Sequence, residues 1–276
     1  VEPLFEKHTR AFWSWYEKAF FEAWYAFIKR FHDGMNRGDT GPGWRRMASL
    51  MTTDQNPYFL LLDRMAREIA ALDPGEEPPD WAGMVTRLDA VRKLARDENA
   101  KQKAQSVAQR LEKDKEAVLE SAYRNIDRKK ARQIEARVQQ AKAWNAYVQA
   151  LQKIDMAVAN RKQSYDMYAR CFSYLGESSQ QESPFSVTYR NYYKLKDAVV
   201  RQGHFPVVWD MVFGPFAYLI QFAAAETACF LQNQWEDQVL SAVPGTDPDK
   251  LPRVLFDKSG GVVWNFLETV GKPFIG

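Results

Sequence analysis

Residues 84–175 contain neither Gly nor Pro. Ala, Gln, Lys, Arg and Glu dominate the stretch, and no strand-like alternation of apolar and polar residues runs through it. Such side chains lose little freedom in a helix, and the two residues that break helices are missing, so the stretch reads as helix. One unbroken helix would run about 140 Å at 1.5 Å per residue. A compact domain cannot use such a rod. The pattern therefore predicts two or three helices, with the weakest points at 97–101 and 124–130, where apolar positions thin out. Between these points Ala104, Val107, Leu111, Val118, Ala122 and Ile126 form a narrow seam. A seam of that width suits a charged helical hairpin or coiled coil better than a core helix.

Charge is concentrated in the same place. Residues 92–142 hold fifteen Lys/Arg and eight Asp/Glu, net +7, which leaves −4 for the rest of a chain whose formal charge is +3. Glu112, Asp114, Glu116 and Glu120 are interleaved with the bases, and aromatic residues for base stacking are scarce. The segment is expected to be a solvated, salt-bridge-laced face, with no nucleic-acid partner. A basic helical nucleic-acid-binding module is the rival reading that this segment would support.

The flanks are aromatic-rich; the chain carries nine Trp, 17 Phe and 12 Tyr. In 2–31, Phe5, Phe12, Tyr16, Phe20, Trp24, Phe27 and Phe31 recur at helical spacing, with Trp13, Phe21, Tyr25 and Ile28 beside them. This predicts a first helix buried on more than one side, rather than a stacking platform for bases or sugars. A Gly-rich loop follows at 34–43, and its Arg37-Gly38-Asp39 carries no functional weight. Residues 54–72 read as a helix capped by Asn56 with Pro57 in its first turn. Residues 73–80 break the chain. At 144–175 a wide apolar face returns, expected to meet the first helix. A polar loop at 176–184 and a helix at 185–202, closed by Gly203, come next.

Residues 205–243 are almost wholly apolar before Ala225 and more polar after it. Within them 222–235, FAAAETACFLQNQW, is an apolar helix ending in a polar surface. The longest uncharged apolar run, 211–225, is shorter than the ~20 residues of a spanning helix and contains Gly214-Pro215 and Gln221, so it reads as a buried core helix. After a loop at 243–253 and a turn at 255–261, residues 262–270 form an amphipathic helix, which Gly271-Lys272-Pro273 should end. The fold expected is all-α, a multi-helix bundle with a long charged hairpin or coiled-coil-like middle. Its parts would be 1–80, 81–175 and 176–276.

No set of residues points to catalysis. Glu226 has no His or second acid at a spacing that makes an acid/base pair, so it is expected to be a hydrogen-bonded carboxylate at a helix–helix contact. His8, His32 and His204 are isolated, and no metal or other cofactor is expected. No phosphate-binding P-loop pattern occurs. Cys171 and Cys229 read as two buried thiols, with one bridge open to them in an oxidising compartment. The chain begins at Val1 without a basic-then-apolar leader, and reads as a piece of a longer protein.

Three segments resemble the TssM/IcmF family, the inner-membrane component of bacterial type VI secretion. NPYFLLLDRMAREIAAL at 56–72, ETACFLQNQWEDQV at 226–239 and LFDKSGGVVWNFLETVGKPF at 255–274 are similar to that family's segments in order and separation. The resemblance implies the periplasmic helical part of a scaffold, with no enzymatic role. Membrane tethering and a TssL/DotU-like partner would come through an N-terminal part beyond this sequence. A TssJ-like lipoprotein would be bound through a C-terminal β domain, and self-association is also open to it. An IcmF component of a type IVB system is the alternative within the family. Trp235, Glu226, Trp264, Phe266 and Phe274 are the structural or interaction residues it singles out, with Trp235 and Trp264 expected between helices. The basic segment 92–142 has no counterpart in that pattern.

Overall fold

The computed structural model describes residues 2–35, 42–72, 78–97, 121–172, 182–200 and 205–275. The fold is all-α, and no strand occurs among the described residues. In chain order the helices are α1 (Glu2–Met35), α2 (Pro42–Met51), α3 (Pro57–Ala71), α4 (Asp80–Arg96), α5 (Ser121–Gln152), α6 (Asp155–Ala159), α7 (Arg161–Ala169), α8 (Pro184–Val199), α9 (Pro206–Gln238), α10 (Leu251–Phe256), α11 (Val262–Phe266) and α12 (Lys272–Ile275).

The residues cluster into two compact units, and neither follows the linear division into 1–80, 81–175 and 176–276. The first takes Val1–Asp39, Asp54–Gln149 and Arg190–Pro215. The second takes Thr40–Thr53, Ala150–Tyr189 and Phe216–Gly276.

In the first unit, local signals set the helix ends. The Asn56 side chain accepts from the Tyr58 amide at 3.0 Å and Pro57 fills the first turn, so α3 starts where its cap dictates. α4 stops at Arg96, at the first of the two weak points. The second weak point is no break: α5 runs from Ser121 through 124–130 to Gln152. Helix propensity prevails there over the thinning of apolar residues, because Arg, Lys and Asn interrupt a face without costing the backbone a hydrogen bond. The seam at Ala104, Val107, Leu111 and Val118, and with it most of the charged hairpin, lies outside the described residues, as does Gly203.

The core of this unit is aromatic. Tyr147 is fully buried and donates to the Val212 carbonyl at 2.6 Å. Burial raises its phenol well above the ordinary range. Trp144 meets Phe59, with ring centroids 5.1 Å apart, so the returning apolar face packs on α3. Arg92 itself departs from the reading of 92–142 as a solvated face, since its side chain is only 1% exposed. It donates to the Phe59 carbonyl at 2.9 Å, pairs with Asp63 at 2.7 Å and lies 5.3 Å from the ring centroids of both Phe59 and Trp144. A guanidinium can be buried this way because its planar face is weakly hydrated and carboxylate and carbonyl take Nη1 and Nη2, leaving Nε buried without a partner. Desolvation lowers its pKa, and Asp63 opposes the shift.

The second unit contains α2, which the reading of 34–43 as a loop did not anticipate. Pro42 opens it, and Trp44, Ala48 and Met51 fall on one side at helical spacing. The apolar part of α9 is core as expected, with Phe216, Leu219, Phe222 and Ala223 all buried. The segment Pro206–Ala242 is long and apolar enough to cross a membrane, yet 67% of its most apolar window is buried inside the protein. At the end of the chain, Gly271-Lys272-Pro273 does not stop the helix. Pro273 lacks an N–H and its ring crowds the carbonyl four residues back. The backbone widens into a π-turn at Leu267–Gly271 and continues as α12.

Candidate functional site

Three places carry the residues of interest. The first is α1, in the first unit. It is 34 residues long, about 50 Å at the helical rise. Of its apolar residues, Phe21 and Ile28 are buried, Phe21 edge-on to Trp81 at 5.9 Å. Phe31 meets Tyr58 edge-on at 5.1 Å. The rest corrects the expectation of a helix buried on more than one side. Phe5 is 71% exposed and Trp15 64%, and Leu4, Phe12, Trp13, Tyr16, Tyr25 and Phe27 are exposed as well. The rings of Phe12, Trp13, Trp15 and Tyr16 contact one another at 5.7–6.1 Å. Helical spacing says which side chains share a face, but not whether another helix covers it. Residues 4–27 contain three Glu and three Lys/Arg, with His8 besides, so with His8 neutral this stretch of helix has no net charge with which to select an ionic partner.

The second place surrounds Glu226, in the second unit. α2 is seated on α9 by Trp44, edge-on to Phe222 at 5.3 Å, and by Tyr218, whose hydroxyl donates to the Trp44 carbonyl at 3.4 Å. The next residue, Arg45, is thereby brought to Glu226, with its Nη2 2.6 Å from Oε2. Arg161 opens α7, which Asn160 caps by accepting from the Gln163 amide at 2.9 Å. Its Nε lies 3.4 Å from the same carboxylate oxygen. Oriented to satisfy both of its ends, the Asn233 amide accepts from Arg161 Nη1 and donates to the Cys229 carbonyl, each at 3.3 Å. Glu226 is thus the hydrogen-bonded carboxylate at a helix contact that the sequence led one to expect. Its two partners were not foreseen. Arg45 is foreshadowed only by the amphipathic run 44–51, and Arg161 by the cap at Asn160.

The third place is the end of the second unit. Trp235 is half-buried and edge-on to Phe266 at 5.3 Å, and Phe266 is buried. Phe274 lies among Tyr165, Tyr168 and Phe172 at 5.3–6.3 Å. The Tyr165 hydroxyl donates to the Val270 carbonyl at 2.8 Å. These contacts clasp the terminal segment to α7 and α9. Trp264 departs from expectation: it is 44% exposed and rests on the turn before it through a 3.0 Å bond from Nε1 to the Phe256 carbonyl. On a five-residue helix with one buried face, Phe266 takes the inner position and Trp264 is turned outward.

Among the described residues no three of His, Cys, Asp and Glu come together to hold a metal ion. Cys171 and Cys229 are free thiols, each half-buried. Cys171 lies 3.2 Å from the Ser183 hydroxyl, and burial raises its pKa. No protein-family model, curated protein or solved structure matches the chain.

Proposed function

We propose that this chain is a structural, interaction-forming part of a bacterial secretion membrane complex of the TssM/IcmF kind, placed in the periplasm and without enzymatic chemistry. The observation that carries the reading is α1, where eight large apolar side chains stand exposed on one helix. Seven of them are aromatic, and at about 150–250 Å² per ring, roughly half exposed, they offer on the order of 700 Å². That approaches the ~800 Å² per partner of a stable protein–protein interface. Phe, Tyr and Trp are also the residue types enriched in such interfaces.

The contact of Trp235 with Phe266 supports the same reading, because it joins two of the three segments that carry the resemblance. These residues hold the terminal segment in place. In this reading a TssJ-like lipoprotein and a TssL/DotU-like protein are the other members of the complex.

The test is the double substitution Phe12→Glu and Trp15→Glu. In the isolated chain it should leave Tm unchanged. In the full-length protein it should reduce recovery of the assembled membrane complex by about tenfold or more, a loss of at least ~1.4 kcal/mol. Normal assembly by a folded double variant would sink the proposal.

A further inference from the structure

We infer that the cleft around Glu226 is a docking site for a carboxylate side chain of an acidic partner peptide. The inference rests on the scaffold reading above only in taking the partner to be a protein, and it concerns a different surface from α1. The cleft has a volume of about 770 Å³, within the second unit. Arg45, Arg46 and Arg161 line it, together with Trp44 and Val158, and Glu226 lies at its base.

The burial of these groups is uneven. The Glu226 side chain is 12% exposed, whereas Arg45 and Arg161 are 42% and 48% exposed. The carboxylate therefore lies underneath, and the guanidiniums reach toward solvent. Each guanidinium has five N–H donors in a rigid fork. Arg45 commits Nη2 to Glu226 and Nη1 to the Ala159 carbonyl, and Arg161 commits Nε to Glu226 and one Nη1 proton to Asn233. Donors remain on both. Arg46 is exposed and has no ionic partner among the described residues. Asp155, the other acid in the wall, is occupied by the Thr52 hydroxyl at 3.0 Å.

The cleft thus sets three guanidiniums against two carboxylates, and Glu226 holds two of the guanidiniums in fixed positions. A second carboxylate completes this arrangement through charge-assisted bonds. The side chain of Trp44 adds apolar wall. An oxyanion carried on a short apolar stem, as in Glu, covers both parts, whereas inorganic phosphate satisfies only the donors. The internal Glu226 competes for the same donors, which keeps the affinity modest and reversible.

The probe is a fluorescein-labelled peptide of alternating Glu and Leu, titrated into the whole chain by anisotropy. Its Gln/Leu counterpart and inorganic phosphate, as a competitor, are the controls. The acidic peptide should bind about tenfold or more tighter than the Gln peptide, the effect of charge-assisted hydrogen bonds, and raised salt should weaken it. Arg46→Gln should weaken it severalfold at unchanged Tm, since Arg46 supports no described contact. Glu226→Gln, provided it stays folded, should strengthen it by releasing Arg45 and Arg161. Equal affinity for the two peptides, or an undiminished Arg46→Gln variant, overturns the inference. Phosphate competing as well as the peptide does overturns the peptide assignment, leaving a small-anion site. Phe12→Glu with Trp15→Glu should leave this titration unchanged, so failure of the α1 proposal and failure of this one are read separately.

Discussion

Arg92 shows how the setting of one residue changes its meaning. In the sequence it opens a run of bases. In the fold it is sealed between Phe59 and Trp144, with Asp63 as its counter-charge. Asp63 is 24% exposed and keeps part of its hydration, while Arg92 has almost none. Removing the acid therefore strands a buried cation, whereas replacing the cation with an apolar side chain strands little. Asp63→Ala should lower stability by about 3–5 kcal/mol, as for a broken buried pair, and Arg92→Met by much less. Urea unfolding of both variants and of the double variant measures this. Equal losses from the two single changes would show that the pair stabilises the fold symmetrically.

Among the elements, α9 carries a constraint set by packing. Gly214 and Pro215 lie inside it, a pair that ordinarily ends a helix. Gly214 is required by packing: a Cβ there would collide with the Tyr58 ring of α3. Tyr58 cannot easily move, being buried and edge-on to Phe31, and burial pushes its phenol up to about 12. Gly214→Ala should cost about 1–3 kcal/mol by overpacking, despite Ala's better helix propensity. A calorimetric Tm at or above that of the parent would mean that Tyr58 gives way.

This contact also marks where sequence reading ends. Helical character, the cap at Asn56, the buried run 211–225 and the bonded state of Glu226 all follow from local composition and spacing. Which helices meet does not. The closeness of Gly214 to Tyr58, the burial of Arg92 and the convergence of Arg45 and Arg161 on Glu226 each join residues far apart in the chain. The π-turn at Leu267–Gly271 was missed for a related reason. By sequence Pro273 reads as a stop, while the contacts of Phe274 with Tyr168 and Phe172 favour continuing the helix past it.

At the scale of the molecule, the exposed aromatic side chains of α1 stand out among the described residues. Scattered exposed apolar residues are ordinary; the touching rings of Phe12, Trp13, Trp15 and Tyr16 are what the proposed interaction surface rests on. The expectation of a first helix buried on more than one side holds for Phe21 and Ile28 and fails for the eight exposed apolar residues. The direct measurement is hydroxyl-radical footprinting of Trp13 and Trp15, read by mass spectrometry in the isolated chain and in the assembled membrane complex, with buried Trp209 as the internal reference. Oxidation of both residues in the isolated chain, falling by about tenfold on assembly while Trp209 stays protected throughout, is the result predicted for a buried hot-spot patch. Equal oxidation of Trp13 and Trp15 in the two states would contradict it.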